Sequence, residues 1–283
     1  MIKSQELDEL LRDASEVERG EIRATWPAGH PLLDLYAHRA RTIAPARRGR
    51  LVRCLLEQVR VTPSLAVFQA EFRDRVAREQ AVLGRVLDIG CSNTLHECLG
   101  FMPCVAEQFD GLDPGVEVHS HPHLAQRWQG FFEQVPCPEA AYDMAYAYNV
   151  VEHVNAARPF FEKLARVLKP GGVFWALTPH SRHPFAMLSR GIEVVGFKKK
   201  FSERLEGVND YSAYYRLNSR SAVLRAIDGL GFSSADFYYM RAPGWHSGYF
   251  PRVLSWVPML YDQLSNPIPS LRIILAYRLQ RAQ

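Results

Sequence analysis

Val86-Leu87-Asp88-Ile89-Gly90-Cys91-Ser92-Asn93-Thr94 decides how this chain is read. A short apolar run ends in an acid and a glycine, the pattern of a buried parallel strand entering a tight turn. Glycine lets the backbone reverse sharply there and lets a ligand approach it closely. A dinucleotide needs G-x-G-x-x-G so that a pyrophosphate can come near the chain. Here Ser92 and Asn93 follow Gly90, and the next glycine is Gly100. A P-loop lysine is absent, and Asp88 would repel phosphate. The turn therefore suits a nucleoside without phosphates, with a positive group near Asp88.

Strands and helices alternate outward from this turn. Pro114 and Gly115 end a second strand at Leu112 and Asp113, and a carboxylate in that place can accept both ribose hydroxyls. The bland alternative is an acid that opens a turn. Phe131 and Phe132 suggest a short third strand, and 144–148 a fourth. A helix over 156–168 carries Phe160, Phe161, Leu164 and Leu168 on one face, and Lys169-Pro170-Gly171-Gly172 ends it before a fifth strand over 173–177. Such alternation predicts an open α/β sheet with helices on both faces. Beyond Pro179 the pattern loosens into a helix over 219–230 and two late strands, 236–240 and 273–279. The intervening stretch, 241–270, is rich in proline and aromatic residues. It covers a ligand, forms a dimer surface, rests on a membrane, or simply packs on the domain.

The chain resembles the class I S-adenosylmethionine-dependent methyltransferases. Val86 to Thr94 is similar to that family's first motif, and Gly111-Leu112-Asp113 to its ribose-binding acid. Tyr142-Asp143-Met144-Ala145-Tyr146-Ala147-Tyr148-Asn149-Val150-Val151-Glu152-His153-Val154 resembles its fourth-strand motif. Leu164-Ala165-Arg166-Val167-Leu168-Lys169-Pro170-Gly171-Gly172 resembles the approach to strand five. The resemblance is strong over 85–180 and weaker to the C-terminus. It implies a Rossmann-like, seven-stranded, mostly parallel sheet with an antiparallel last strand, a helical N-terminal extension over 1–80 and a methyltransferase domain over 81–283. The 241–270 insert then lies between the last two strands. S-adenosylmethionine is the implied cofactor, bound by Asp88, Gly90, Cys91, Ser92, Asn93, Asp113, Pro114, Phe132, Tyr148 and Asn149. Ser92 and Thr94 stand where relatives often have glycine. Phe131 and Phe132 fall near the usual adenine-binding acid, so stacking and backbone groups would hold the base.

Methyl transfer from a sulfonium needs an aligned acceptor, and an alcohol acceptor also needs a base. His153 is the first candidate base, with Glu152 to orient or charge it; alternatively the pair merely opens the following helix. His180 and His183, just past strand five, are alternatives at the same rim. Tyr214, Tyr215 and Arg216 resemble a segment after strand five in many bacterial relatives, which makes them and His183 candidates for the acceptor pocket. The expected substrate is a small organic molecule methylated on oxygen: a specialised metabolite, sugar or lipid. A binding protein without catalysis, or a membrane-surface or interaction protein, is the alternative.

Composition frames these readings. The 283 residues are 47% apolar and 23% charged, which excludes a disordered or fibrous chain. A net charge of +4 is too diffuse to indicate nucleic acid. No stretch has the length of a membrane span, and acids near the N-terminus replace the apolar core of a signal peptide. The expectation is a soluble, cytoplasmic monomer or homodimer, with peripheral membrane contact left open. Prolines 27, 31, 45 and 63 cut the helical first 80 residues into pieces. Arginines 41, 47, 48, 50 and 53 read as a solvated helix face. Five cysteines without a C-x-x-C pair point to reduced thiols, and neither Cys91, Cys98, Cys104 and His96 nor His119, His121 and His123 has a metal-site spacing.

Overall fold

A computed structural model describes residues 8–12, 14–183, 187, 212–245, 247 and 255–283. The chain divides into two compact units, Met1–Tyr146 and Ala147–Gln283.

The first unit opens with helices α1 (Glu16–Thr25), α2 (Pro31–Thr42), α3 (Arg48–Val61) and α4 (Val67–Val76). Ser15 caps α1 in a reciprocal box: its Oγ accepts the Glu18 N–H, and the Glu18 carboxylate accepts the Ser15 N–H at 2.8 Å. Pro31 sits in the first turn of α2, where its missing N–H costs nothing. Leu32, Leu33, Leu35, Leu55, Val59, Phe68 and Phe72 form the buried faces of these helices.

Strands β1 (Arg85–Ile89), β2 (Gln108–Asp113) and β3 (Arg127–Gln129) follow, with helix α5 (Met102–Val105) between the first two. Strand β4 (Tyr142–Tyr148) begins in this unit, and its last two residues belong to the second. All the pairs in this part of the sheet are parallel: β1 with β2, β1 with β4, and β2 with β3. Two expectations need correction. The third strand is Arg127–Gln129, because Gly130 at φ +145° ends it; Phe131 and Phe132 lie in the turn beyond. Reduced thiols are also not general: Cys54 on α3 is bonded to Cys104 on α5, while Cys91, Cys98 and Cys137 are buried thiols outside that disulfide.

In the second unit, α6 (Ala157–Val167) packs Phe160 and Phe161 edge-on against Phe174 of β5 (Leu168–Pro179). Helix α7 (Arg220–Ile227) is capped by Ser219, and β6 (Phe232–Met240), α8 (Trp256–Ser265) and β7 (Ile274–Arg281) complete the chain. Strand β5 begins at Leu168 rather than 173. Gly171 takes φ +77° and hydrogen-bonds Ala282, so the Lys-Pro-Gly-Gly sequence that stops the helix also carries the strand's first residues. The seven strands run in the order β3-β2-β1-β4-β5-β7-β6, and β7 is antiparallel to both its neighbours. This is the α/β sheet the alternation predicts, with the seven strands and antiparallel last strand that the family resemblance implies. Among the described residues no helix is long and apolar enough to cross a membrane.

Candidate functional site

In the first unit, the turn after β1 is fixed by one carbonyl. Leu112 O accepts the N–H groups of both Gly90 (2.8 Å) and Cys91 (3.1 Å), which ties the turn to the end of β2. Gly90 has φ +82° and Ser92 φ +48°, so two left-handed residues bend the chain within three positions. Gly111 provides the room: a Cβ there would lie 2.9 Å from Cys91 Sγ and 2.8 Å from the Leu124 methyls.

Asp113 stands at the centre of this turn. Its Oδ2 accepts the Ser92 N–H at 2.9 Å and its Oδ1 the Gly115 N–H at 2.7 Å. Each oxygen keeps a further lone pair, so the side chain can accept two more donors while staying in place. Asp88 lies on β1, 5% exposed, and accepts the Tyr146 hydroxyl at 2.5 Å. Burial pushes its carboxyl up to about 7; the Tyr146 bond opposes that rise and the Asp113 charge adds to it. Burial, with Asp88 and Asp113 nearby, also pushes the Cys91 thiol far up, so Cys91 offers its backbone rather than a thiolate. Asn93 is exposed, Pro114 is half-buried and Phe132 is buried. Chemically, the arrangement pairs a carboxylate that has acceptor capacity for a diol with a glycine turn and a second carboxylate, and it holds no lysine for a phosphate.

In the second unit, Tyr148 ends β4 and Asn149 follows at φ +54°, its N–H bonded to Leu177 O at 2.8 Å. The Asn149 Oδ1 is buried without a hydrogen-bond partner among the described residues. Glu152 turns inward. It is 7% exposed, and its Oε2 accepts the Thr178 hydroxyl at 2.9 Å. Burial raises its carboxyl to about 7 against the lowering effect of its hydrogen bonds. His153 Nδ1 pairs instead with Ser212 O at 3.2 Å, which corrects the expectation that Glu152 orients this ring.

His180 and His183 are buried, each 1% exposed, and not set on an open rim. The His180 ring lies edge-on to Tyr239 at 5.1 Å, and burial, then the Arg182 and His183 charges, bring its pKa down to about 4 against a bond to the Arg272 backbone. His183 Nε2 lies 3.4 Å from Asp262 Oδ1, with Tyr261 edge-on at 5.0 Å. Tyr214 is exposed with the Arg216 guanidinium 5.8 Å from its ring, and Tyr215 has φ +52°. Sequence reading misses Tyr146, Thr178 and Asn218. Only Tyr146 leaves a signal there, a polar aromatic inside an apolar strand. No metal-binding cluster occurs among the described residues.

Comparison with known proteins gives the class of the chain. A family model described as a methyltransferase domain matches residues 64–214. A probable S-adenosylmethionine-dependent methyltransferase of Mycolicibacterium smegmatis is 30% identical over 131 residues, 43% of this chain and 50% of that protein. A sterol 24-C-methyltransferase of Candida albicans is 26% identical over 160 residues, 47% of this chain and 43% of that protein. The chain thus spans about half the length of the curated relatives it matches. The crystal structure of an S-adenosylmethionine-dependent methyltransferase from Mesorhizobium loti aligns with TM-score 0.49 and 17% identity, over 75% of this chain and 98% of that one. The chain belongs to the methyltransferase-domain family, class I and S-adenosylmethionine-dependent. S-adenosylmethionine is the cofactor that goes with that membership.

Proposed function

We propose that this protein transfers the methyl group of S-adenosylmethionine to a small organic acceptor, with oxygen as the receiving atom. The observation that carries the reading is Asp113, pinned by two backbone N–H groups and left with one lone pair on each oxygen for the two ribose hydroxyls. Gly90, Cys91, Ser92 and Asn93 supply the backbone of the turn, and Pro114 and Phe132 flank it. Asp88 suits the positive end of the cofactor, since a neighbouring ammonium would draw its raised carboxyl back to the charged form. When bound, the cofactor would supply an electrophilic methyl group, and its sulfur would keep the S–C electron pair as a neutral thioether.

His153 is the base in this reading. Donation from Nδ1–H to the Ser212 carbonyl makes Nε2 the basic nitrogen. Nε2 takes the proton of an alcohol acceptor as the O–C bond forms; a phenol or carboxylate needs less of that help. His180, buried and held neutral, acts in packing. Tyr214, Tyr215 and Arg216 are assigned to the acceptor side. The curated relatives named as sterol methyltransferases favour an apolar acceptor, a lipid or hydrophobic metabolite. Methyl-labelled cofactor incubated with lipid, phenolic and sugar fractions tests the proposal. Label is expected in an extractable product, and His153→Ala should abolish it while leaving affinity for S-adenosylhomocysteine unchanged. Binding of S-adenosylhomocysteine with no label transferred to any fraction would overturn the enzymatic reading.

A second reading rests on α8. Trp256, Val257, Met259, Leu260 and Leu264 are all exposed, while Asp262, the helix's one charged side chain, accepts the Gly244 N–H at 2.8 Å. A cofactor-binding protein that rests on a lipid surface would use such a face. Co-sedimentation with phosphatidylcholine vesicles, lost on Trp256→Ser with Leu260→Ser, would favour it.

A further inference from the structure

Thr178 and Asn218 lie outside every role assigned so far, yet together with the backbone of the segment 212–218 they converge on Glu152 and His153. Asn218 is fully buried and uses both amide hydrogens, one to Thr178 Oγ1 at 2.7 Å and one to Pro179 O at 2.8 Å. Thr178, also fully buried, therefore accepts at its oxygen and has one proton left to give. That proton goes to Glu152 Oε2 at 2.9 Å. The chain of donors has a single direction, from Asn218 through Thr178 to the carboxyl group.

Glu152 and His153 also hold the segment by its backbone. Glu152 O accepts the N–H of Tyr214 at 2.7 Å and of Tyr215 at 3.0 Å. Tyr215 is held at φ +52°, which side-chain-bearing residues rarely adopt unless their surroundings fix it. Asn218 O accepts the Ser181 N–H at 3.0 Å. Ser212 O, at the start of the segment, is the partner of His153 Nδ1. Four positions in seven residues are thus tied to the Glu152–His153 turn and to the end of β5, directly or through Thr178.

We propose that Thr178 and Asn218 are positioning residues, which fix the 212–218 segment through Glu152 and thereby hold Ser212 O where it selects the Nδ1-protonated form of His153. The inference deepens the proposed function, because it rests on the reading of His153 as the base. Neither residue touches the reacting atoms. Their effect passes through the Glu152 carboxyl, the Glu152 peptide and one carbonyl oxygen. The neutral histidine side chain in water prefers the proton on Nε2, the form in which Nε2 cannot accept a proton from substrate. A fixed carbonyl at Nδ1 reverses that preference.

The tautomer can be read without an acceptor substrate. The full chain carrying 15N-labelled histidine is examined above the titration range of imidazole, with the His153 signals assigned by their loss in His153→Gln. Wild type is expected to show the proton on Nδ1. Thr178→Val, which keeps the side-chain shape, and Asn218→Ala should each lose at least about half of that signal to the Nε2-protonated form, and Thr178→Ser should restore it. A purely structural role would lower thermal stability and leave the ring signals as they are. Retention of the wild-type tautomer in folded Thr178→Val overturns the proposal, as does a wild type with the proton on Nε2. Should Asn218→Ala not fold, the Thr178→Val and Thr178→Ser pair decides the matter by itself. Failure of wild type to bind S-adenosylhomocysteine by calorimetry would remove the proposed function and leave this readout unaffected.

Discussion

The Ser92 backbone N–H meets Asp113 Oδ2 at 2.9 Å, so the residue that bends the turn after β1 also orients the acid that ends β2. The acid is in place before a ligand arrives, and little ordering cost remains to be met on binding. Asp113→Ala is expected to weaken S-adenosylhomocysteine binding by about 10- to 100-fold in calorimetry, the range for losing hydrogen bonds to a charged group. Asp113→Asn, which keeps one acceptor oxygen, should fall between. Equal affinity in wild type and Asp113→Ala would withdraw the ribose assignment.

Two buried carboxyls give the protein a characteristic pH dependence. Asp88 and Glu152 both titrate at about 7 in the folded chain, against ordinary values of 3.8 and 4.5. Over that interval the folded state keeps protons that the unfolded chain has released. Their contribution is therefore fully present below the ordinary values and is lost as pH rises through about 7. Asp88→Asn and Glu152→Gln keep an oxygen for Tyr146 and Thr178 but remove the titration. Relative to wild type, each variant should gain on the order of 3 kcal/mol between about pH 4 and pH 8 in urea denaturation. A variant-minus-wild-type difference that stays flat with pH would show that the group does not titrate as described.

Strands β1 and β2 are legible in the sequence because each ends in a visible breaker. Asp88-Ile89-Gly90 and Asp113-Pro114-Gly115 mark where β1 and β2 stop, and those ends are where ligands bind in open α/β sheets. Phe131 and Phe132 mislead, because two aromatics look like strand while Gly130 has already ended β3. The Glu152–Thr178–Asn218 chain is illegible for another reason. Its members come from three separate elements, and nothing in the local pattern of Thr178 or Asn218 marks a buried hydrogen-bond partner. The Cys54–Cys104 bond is equally hidden, since it joins residues 50 positions apart on two helices.

Gly111 is where the packing of the turn can be tested. In its register opposite Asp88, an added methyl would meet Cys91 Sγ at 2.9 Å and the Leu124 methyls at 2.8 Å. Gly111→Ala should destabilise the protein by about 1–3 kcal/mol, the usual cost of overpacking. It should also weaken S-adenosylhomocysteine binding, because the displaced Cys91 carries the turn with it. Cys91→Ala added to Gly111→Ala removes the sulfur and should recover part of both losses. Strict additivity of the two substitutions in a double-mutant cycle would mean that they do not share this contact.

The Cys54–Cys104 bond ties α5, which lies between the turn after β1 and the start of β2, to α3 of the N-terminal helices. Closing a loop of 50 residues restricts the unfolded chain, and the chain-entropy account puts the resulting stabilisation at about 4 kcal/mol. Cys91, Cys98 and Cys137 stand outside the disulfide, so alkylation of the denatured, unreduced chain should modify three thiols, rising to all five after reduction. Cys54→Ser and Cys104→Ser should each lower the unfolding free energy by a similar amount, and the double variant by no more than either alone, because one bond is lost in every case. Five modified thiols without reduction would show that the bond does not form in solution.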